Sequence, residues 1–143
     1  MSQAKTTEVF DCSVQDFYKI VTDYESYPEF LAEVKNCQVI EKREGQKLVE
    51  FHINLIKSFS YRLWLTEEPH QKVSWTLDSG DLFKTSDGQW LLEDEAGKTR
   101  ATYEVKATFK VFVPGPIAKG LVSVNLPNMM SSYQKRVKEI YGS

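Results

Sequence analysis

The chain has little of what reactive centres are usually built from. It carries two histidines, His52 and His70, and two cysteines, Cys12 and Cys37. No spacing among them suits zinc, and neither a His-Glu-x-x-His nor a Cys-x-x-Cys motif occurs. A Gly-x-Ser-x-Gly elbow and a glycine-rich phosphate loop are missing too, which removes the signatures of a serine hydrolase and of a nucleotide binder. The residues therefore ask for no metal and no cofactor. No stretch approaches 18 consecutive apolar residues, so none reads as a membrane-spanning helix. The first ten residues lack the apolar run of a signal peptide. Charge of one sign is missing as well: 18 basic residues stand against 20 acidic ones, for a net −2. No basic stripe exists, and DNA is not an expected partner. The densest basic cluster, Lys135, Arg136 and Lys138, falls near the end of the last expected helix, where a solvated face and the helix dipole account for it. These absences point to a cytoplasmic protein with reduced, buried thiols, and sequence alone leaves a Cys12–Cys37 bridge open.

Of the 143 residues, 41% are hydrophobic and 13% aromatic. A chain of this length buries roughly 68–70% of its unfolded surface without disulfides, so residues 1–143 are expected to form a single domain. Aromatic side chains carry large buried area and also line ligand pockets. Their most informative grouping is Asp23-Tyr24-Glu25-Ser26-Tyr27-Pro28-Glu29-Phe30-Leu31. Pro28 keeps this run out of a helix interior or a central strand, so Tyr27, Phe30 and Leu31 need burial by other elements.

A strand is expected over 4–11, then a helix over 14–23 capped by Ser13, with Val14, Phe17, Ile20 and Val21 on one stripe. A second short helix follows, with Pro28 suited to its first turn. Alternating segments then run from 34 to 113, broken at Glu44-Gly45-Gln46, Glu67–Gln71, Ser79-Gly80 and Glu95-Ala96-Gly97-Lys98. Short turns between alternating strands predict an antiparallel meander with one buried face. The last strand carries Tyr103, Val105, Ala107, Phe109, Val111 and Val113 on that face. A closing helix over 116–141 follows, with Ile117, Leu121, Val124, Met130, Tyr133, Val137 and Ile140 as its stripe and a kink near Asn125 caused by Pro127. His52 shares the polar face with Glu50 and Asn54, and His70 follows Pro69 in a turn, so both are expected at the surface.

Asp23-x-x-x-Tyr27-Pro28-x-Phe30-Leu31 resembles the motif that follows the first helix in the START-like (SRPBCC) superfamily, and within it the coenzyme Q-binding or polyketide cyclase/dehydrase family. Gly88-x-Trp90 with Thr99-Arg100-Ala101-Thr102-Tyr103 resembles that family's last hairpin, and the final helix with Arg136 near its end resembles its closing segment. The similarity runs over nearly the whole chain. It implies an α+β helix-grip fold: a curved antiparallel sheet of roughly six or seven strands around a long C-terminal helix, with two short helices after the first strand. Members of the family are mostly carriers of apolar molecules such as polyprenyl quinones or lipids. Some relatives are aromatase/cyclases, some are hormone receptors, and one branch is described as a ribosome-association toxin. The resemblance thus implies binding or transport of a hydrophobic small molecule. The alternatives are a cyclase/dehydrase with Tyr61 or Tyr103 as its acid, and a ribosome-binding interaction protein. Fold alone does not choose among them.

The inward face supplies the candidate ligand-binding residues. From the strands these are Phe51, Ile53, Phe59, Tyr61, Leu63, Trp75, Leu77, Trp90, Tyr103 and Val105. Leu121 and Met130 come from the closing helix, and Tyr27 and Phe30 from the turn, which would form part of the entrance. Tyr61, Tyr103, Trp75 and Trp90 carry donors that seek a partner when buried. Met129 and Met130 are soft gap-fillers suited to a pocket mouth. No inward position in this set ionises near neutral pH, so no catalytic residue is named.

Overall fold

Strict alternation along 47–55, 59–66 and 102–109 gives strands with one apolar face, and that face dictates the rest of the architecture. The computed structural model describes residues 2–142. Its elements run β1 (Ser2–Phe10), α1 (Val14–Thr22), a 3-10 helix (Tyr24–Glu29), β2 (Val34–Arg43), β3 (Gln46–Leu55), β4 (Lys57–Glu68), β5 (Lys72–Gly80), β6 (Phe83–Glu95), β7 (Lys98–Phe109), α2 (Gly115–Lys119), a π-helical turn (Gly120–Val124) and α3 (Leu126–Tyr141). The side chain of Val124, expected on the stripe of the closing helix, lies outside the described part.

The seven strands form one antiparallel sheet in the order β1-β7-β6-β5-β4-β3-β2. From β2 to β7 each strand pairs with its successor, and β1 adds to the far edge against β7. At the β6–β7 hairpin Ala96 and Gly97 take φ of 52° and 86°, the left-handed pair whose twist suits a two-residue hairpin. Register shifts at Val34/Asn36, Val39/Glu41, Arg62/Leu63 and Phe83/Thr85 bend their strands and curl the sheet. The curled sheet grips the closing helix from one side, as the helix-grip resemblance implies.

Ser13 caps α1 by accepting from the Asp16 amide at 3.2 Å, and Phe17, Ile20 and Val21 are its buried face. Phe17 stacks on Phe10 at 4.3 Å and meets Trp90 edge-on at 5.4 Å, which plugs one end of the sheet. Pro28 is near the end of the 3-10 helix, not in its first turn. The turn's amide bonds pass around it, from Ser26 to Asp23 and from Phe30 and Leu31 to Tyr27. Tyr27 and Leu31 are buried while Phe30 is half-buried.

The closing helix is one rod in three segments. Pro127 stands in the first turn of α3, where its missing N–H forfeits no helical hydrogen bond. Ahead of it the chain takes a π-helical turn before α3 starts at Leu126, so a widened turn stands where the kink was expected. The last strand ends at Phe109, earlier than the alternation suggests; Val111 and Phe112 are 64% and 89% exposed. Cys12 and Cys37 are buried and free, which closes the question of a bridge. His52 and His70 are at the surface: His52 bonds Ser60 at 2.9 Å on the outer face, and His70 meets the edge of Tyr18 in the β4–β5 turn. Among the described residues no helix is long and apolar enough to cross a membrane.

Candidate functional site

Between the concave sheet and the closing helix lies a cavity of about 180 Å³. Its floor is built by inward positions of five adjacent strands: Phe51 and Ile53 from β3, Phe59, Tyr61 and Leu63 from β4, Trp75 from β5, Trp90 from β6, and Tyr103 and Val105 from β7. Tyr27 closes one side and Leu121 of the π-helical turn covers the top. The strand positions were expected from parity, Leu121 from the stripe of the closing helix and Tyr27 from the turn.

Phe30, Leu77 and Met130 lie outside the lining. Phe30 turns away to pack edge-on against Tyr133 at 5.2 Å, with the Arg136 guanidinium over its ring at 5.1 Å. Arg136 also donates to Glu29 at 2.9 Å, so Glu29 and Phe30 brace α3. Leu77 follows the last β5–β6 pair, Thr76 with Asp87, and is half-buried where the two strands part. Met130 is buried toward β1, beside Ala4, Thr6 and Leu126. Its neighbour Met129 lines the cavity instead.

The floor is organised by aromatic stacks that run along the sheet. Phe51 and Tyr61, a cross-strand pair, stack at 5.2 Å with 14° between planes, and Phe59 extends the stack at 6.0 Å. Tyr103 fits between Trp75 at 5.5 Å and Trp90 at 5.0 Å. The hydroxyls of Tyr61 and Tyr103 bond no described protein group, and neither oxygen is sealed from the cavity. Burial foremost pushes both phenols well above their ordinary pKa, and the negative charge of Glu33 adds to the shift in each. Both therefore stay protonated and act as donors.

Glu33, which stands outside the expected set, brings an ionisable side chain to the lining. It sits in the short turn before β2 and lines the cavity with Asn125 and the buried Ser86. Its Oε2 accepts from Asn125 Nδ2 at 2.7 Å, and its carbonyl accepts from the Asn54 amide at 2.8 Å. These two bonds tie the turn to β3 and to the start of α3, and they aim the side chain. No periodic pattern covers a turn residue, so only its acidity beside the Tyr-Pro run marked it. Among the described residues no lysine, arginine or histidine lines the cavity.

The π-helical turn forms part of the cover. Leu121 and Val122 line the cavity from within, while a Cβ at neighbouring Gly120 would lie 2.5 Å from Cδ1 of Ile56. Ile56 is 62% exposed and holds φ at 66°, a left-handed conformation that a β-branched residue rarely adopts. In chemical terms the site offers an apolar slot, two phenol donors and one carboxylate.

A family model described as "Polyketide cyclase / dehydrase and lipid transport" matches residues 11–132. A curated relative, the ribosome association toxin RatA of Escherichia coli, is 28% identical, with 100% of this chain and 91% of RatA covered. A START superfamily protein from Mycobacterium smegmatis superimposes with a TM-score of 0.86 at 20% identity, covering 96% of this chain and 98% of that one. The Zhui aromatase/cyclase from a Streptomyces species gives a TM-score of 0.83 at 10% identity, with 96% and 94% covered.

Proposed function

Since the chain belongs to the polyketide cyclase/dehydrase and lipid transport family, we propose that it binds a small hydrophobic molecule between the sheet and the closing helix. The observation that carries this reading is the cavity itself, set within the core and lined by two tyrosines whose hydroxyls bond no described protein group. A void of roughly 150 Å³ lined by apolar side chains suffices for benzene, so the 180 Å³ here suits one ring or a short chain. A longer ligand requires the π-helical turn to lift. Burying about 300 Å² of ligand hydrocarbon contributes about 7 kcal/mol before the costs of association, so apolar contact supplies most of the affinity. The test is native mass spectrometry of the purified protein, followed by organic extraction. A co-purifying isoprenoid or acyl species supports the reading. A clean apo mass together with an unmoved melting point in a panel of apolar probes overturns it.

A second reading, catalysis of the cyclase type, draws on Glu33, which sets a carboxylate beside two phenols as a base beside acids. It requires turnover of a poly-β-keto thioester that Glu33→Gln abolishes, and inactivity across such substrates removes it. Ribosome association, the property named for the RatA relative, requires co-sedimentation with ribosomal subunits at moderate salt.

A further inference from the structure

We infer that the cavity selects uncharged ligands whose head is a hydrogen-bond acceptor, such as the carbonyl of a ketone, ester or quinone, and rejects carboxylates. The inference rests on the proposed binding role and names the ligand class for it.

Three features of the lining lead there. The first is supply of donors. Tyr61 and Tyr103 each present a hydroxyl that no described protein group accepts. Their rings are fixed by the stacks on Phe51 and Phe59 and on Trp75 and Trp90, so the hydroxyls are held in place before a ligand arrives. A ligand that displaces water from these hydroxyls without replacing its hydrogen bonds loses affinity. A carbonyl oxygen has two lone pairs, and within reach of both hydroxyls it would satisfy both.

The second feature is the sign of the charge. Among the described residues Glu33 is the one acidic side chain in the lining, and no basic side chain accompanies it. Asn125 Nδ2 occupies one of its oxygens and brings no charge. A carboxylate head would enter an apolar slot with no cation to pair with and a like charge on the wall. Both conditions oppose an ionised ligand.

The third feature excludes the opposite head. An ammonium group would find Glu33, but it would leave both phenol hydrogens without an acceptor and would itself give up water for a single partner. The neutral acceptor gives both phenols a partner and brings no charge into the slot.

The experiment is calorimetric titration of the full chain near neutral pH with four probes of equal chain length: 2-octanone, octanoate, octylamine and octane. The ketone is expected to bind at least tenfold more tightly than octanoate and octylamine. Tyr61→Phe and Tyr103→Phe keep the stacked rings, so both should fold. Each should weaken the ketone about three- to tenfold, the worth of one hydrogen bond, and leave octane unchanged. Glu33→Gln should raise octanoate affinity about tenfold and move the ketone by less than threefold. Octanoate or octylamine binding as tightly as the ketone overturns the selectivity while leaving hydrophobic binding intact. Failure of all four probes, octane included, overturns the binding role itself and the selectivity with it.

Discussion

Replacing Gly88 by alanine tests the packing under the cavity floor. Gly88 stands opposite Trp75 in β5 and Val105 in β7. A Cβ there would lie 2.5 Å from the Glu104 carbonyl oxygen, and 2.5 Å and 2.6 Å from Cζ2 and Cε2 of Trp75. The first contact is with backbone in the β6–β7 ladder, which has nowhere to go. The second would push the indole off Gly88, toward the cavity and against Tyr103. Overpacking of this kind costs about 1–3 kcal/mol, and a clash with fixed backbone places it in the upper half, about 2–3 kcal/mol. For a chain of this size each kcal/mol moves the melting point by about 3–4 °C, so Gly88→Ala should melt about 6–12 °C lower. Two further alanines calibrate the scale. Gly115→Ala meets nothing within 4 Å. At Gly120 the Cβ meets only the tip of Ile56, an exposed side chain free to swing aside. Both should melt within about 3 °C of the parent, a change below about 1 kcal/mol. If Gly88→Ala melts with the parent, or Gly120→Ala falls as far as Gly88→Ala, the account of a tryptophan seated on a required glycine is refuted.

Burial foremost pushes the Cys12 thiol up to about 11 and the Cys37 thiol up to about 12, so a disulfide reagent should label the native protein roughly a hundredfold more slowly than the urea-unfolded chain; equal rates would sink this. Those raised pKa values mean that the folded chain keeps protons the unfolded chain gives up. The stability they contribute is whole below the unfolded thiol pKa of about 8.5 and is lost as pH rises through about 11 and about 12. The urea midpoint should therefore fall steadily above about pH 8.5, and a flat profile would refute the assignment. Tyr24 donates to Glu67 at 2.7 Å, and Lys47 stands 3.1 Å from that same carboxylate. Tyr24→Phe should cost about 1–1.5 kcal/mol in a urea titration, and a neutral result would show the bond to be worth nothing net.

The strand plan was readable because one face of the sheet is buried and the other wet, so alternation reports direction at every position. The Ser13 cap and the Ala96-Gly97 turn were readable for a local reason: each depends on the chemistry of two or three neighbouring residues. Depth was not readable. Parity sends Leu77 and Trp75 to the same face, but only Trp75 lies under the closing helix. Helical spacing puts Met130 on an apolar stripe and is silent on whether that stripe meets the cavity or β1. Glu33 was missed for a different reason. Its direction is set by Asn54 and Asn125, which are 21 and 92 residues away in sequence (54 − 33 and 125 − 33), and no local pattern encodes that. Val111 continued an alternation that the fold abandons, because beyond Phe109 no strand remains to pair with it.

The cavity should have closed if stability alone had shaped the core. A sealed, empty volume costs about 24 cal/mol per Å³, so leaving 180 Å³ unfilled costs at most about 4 kcal/mol, against the roughly 5–15 kcal/mol that holds a domain together. The side chains that might fill it are tied up in stacks along the sheet. Phe51, Tyr61 and Phe59 spend their faces on one another, and so do Trp75, Tyr103 and Trp90. A small residue among them is then the place to fill the space from below. Ala107 is buried in β7 and lines the cavity, and Ala107→Val sends two methyl groups into it. The variant should be more stable by about 1 kcal/mol, with a melting point about 3–4 °C higher, because β-branched side chains suit strands and the void shrinks. It should also bind an apolar probe less tightly, since the space is the binding site. The two readouts moving in opposite directions would mark the void as kept for a ligand at the expense of stability. A variant that loses stability would show that the space has no room for the added methyls, and one that gains stability without losing affinity would show that ligands bind elsewhere.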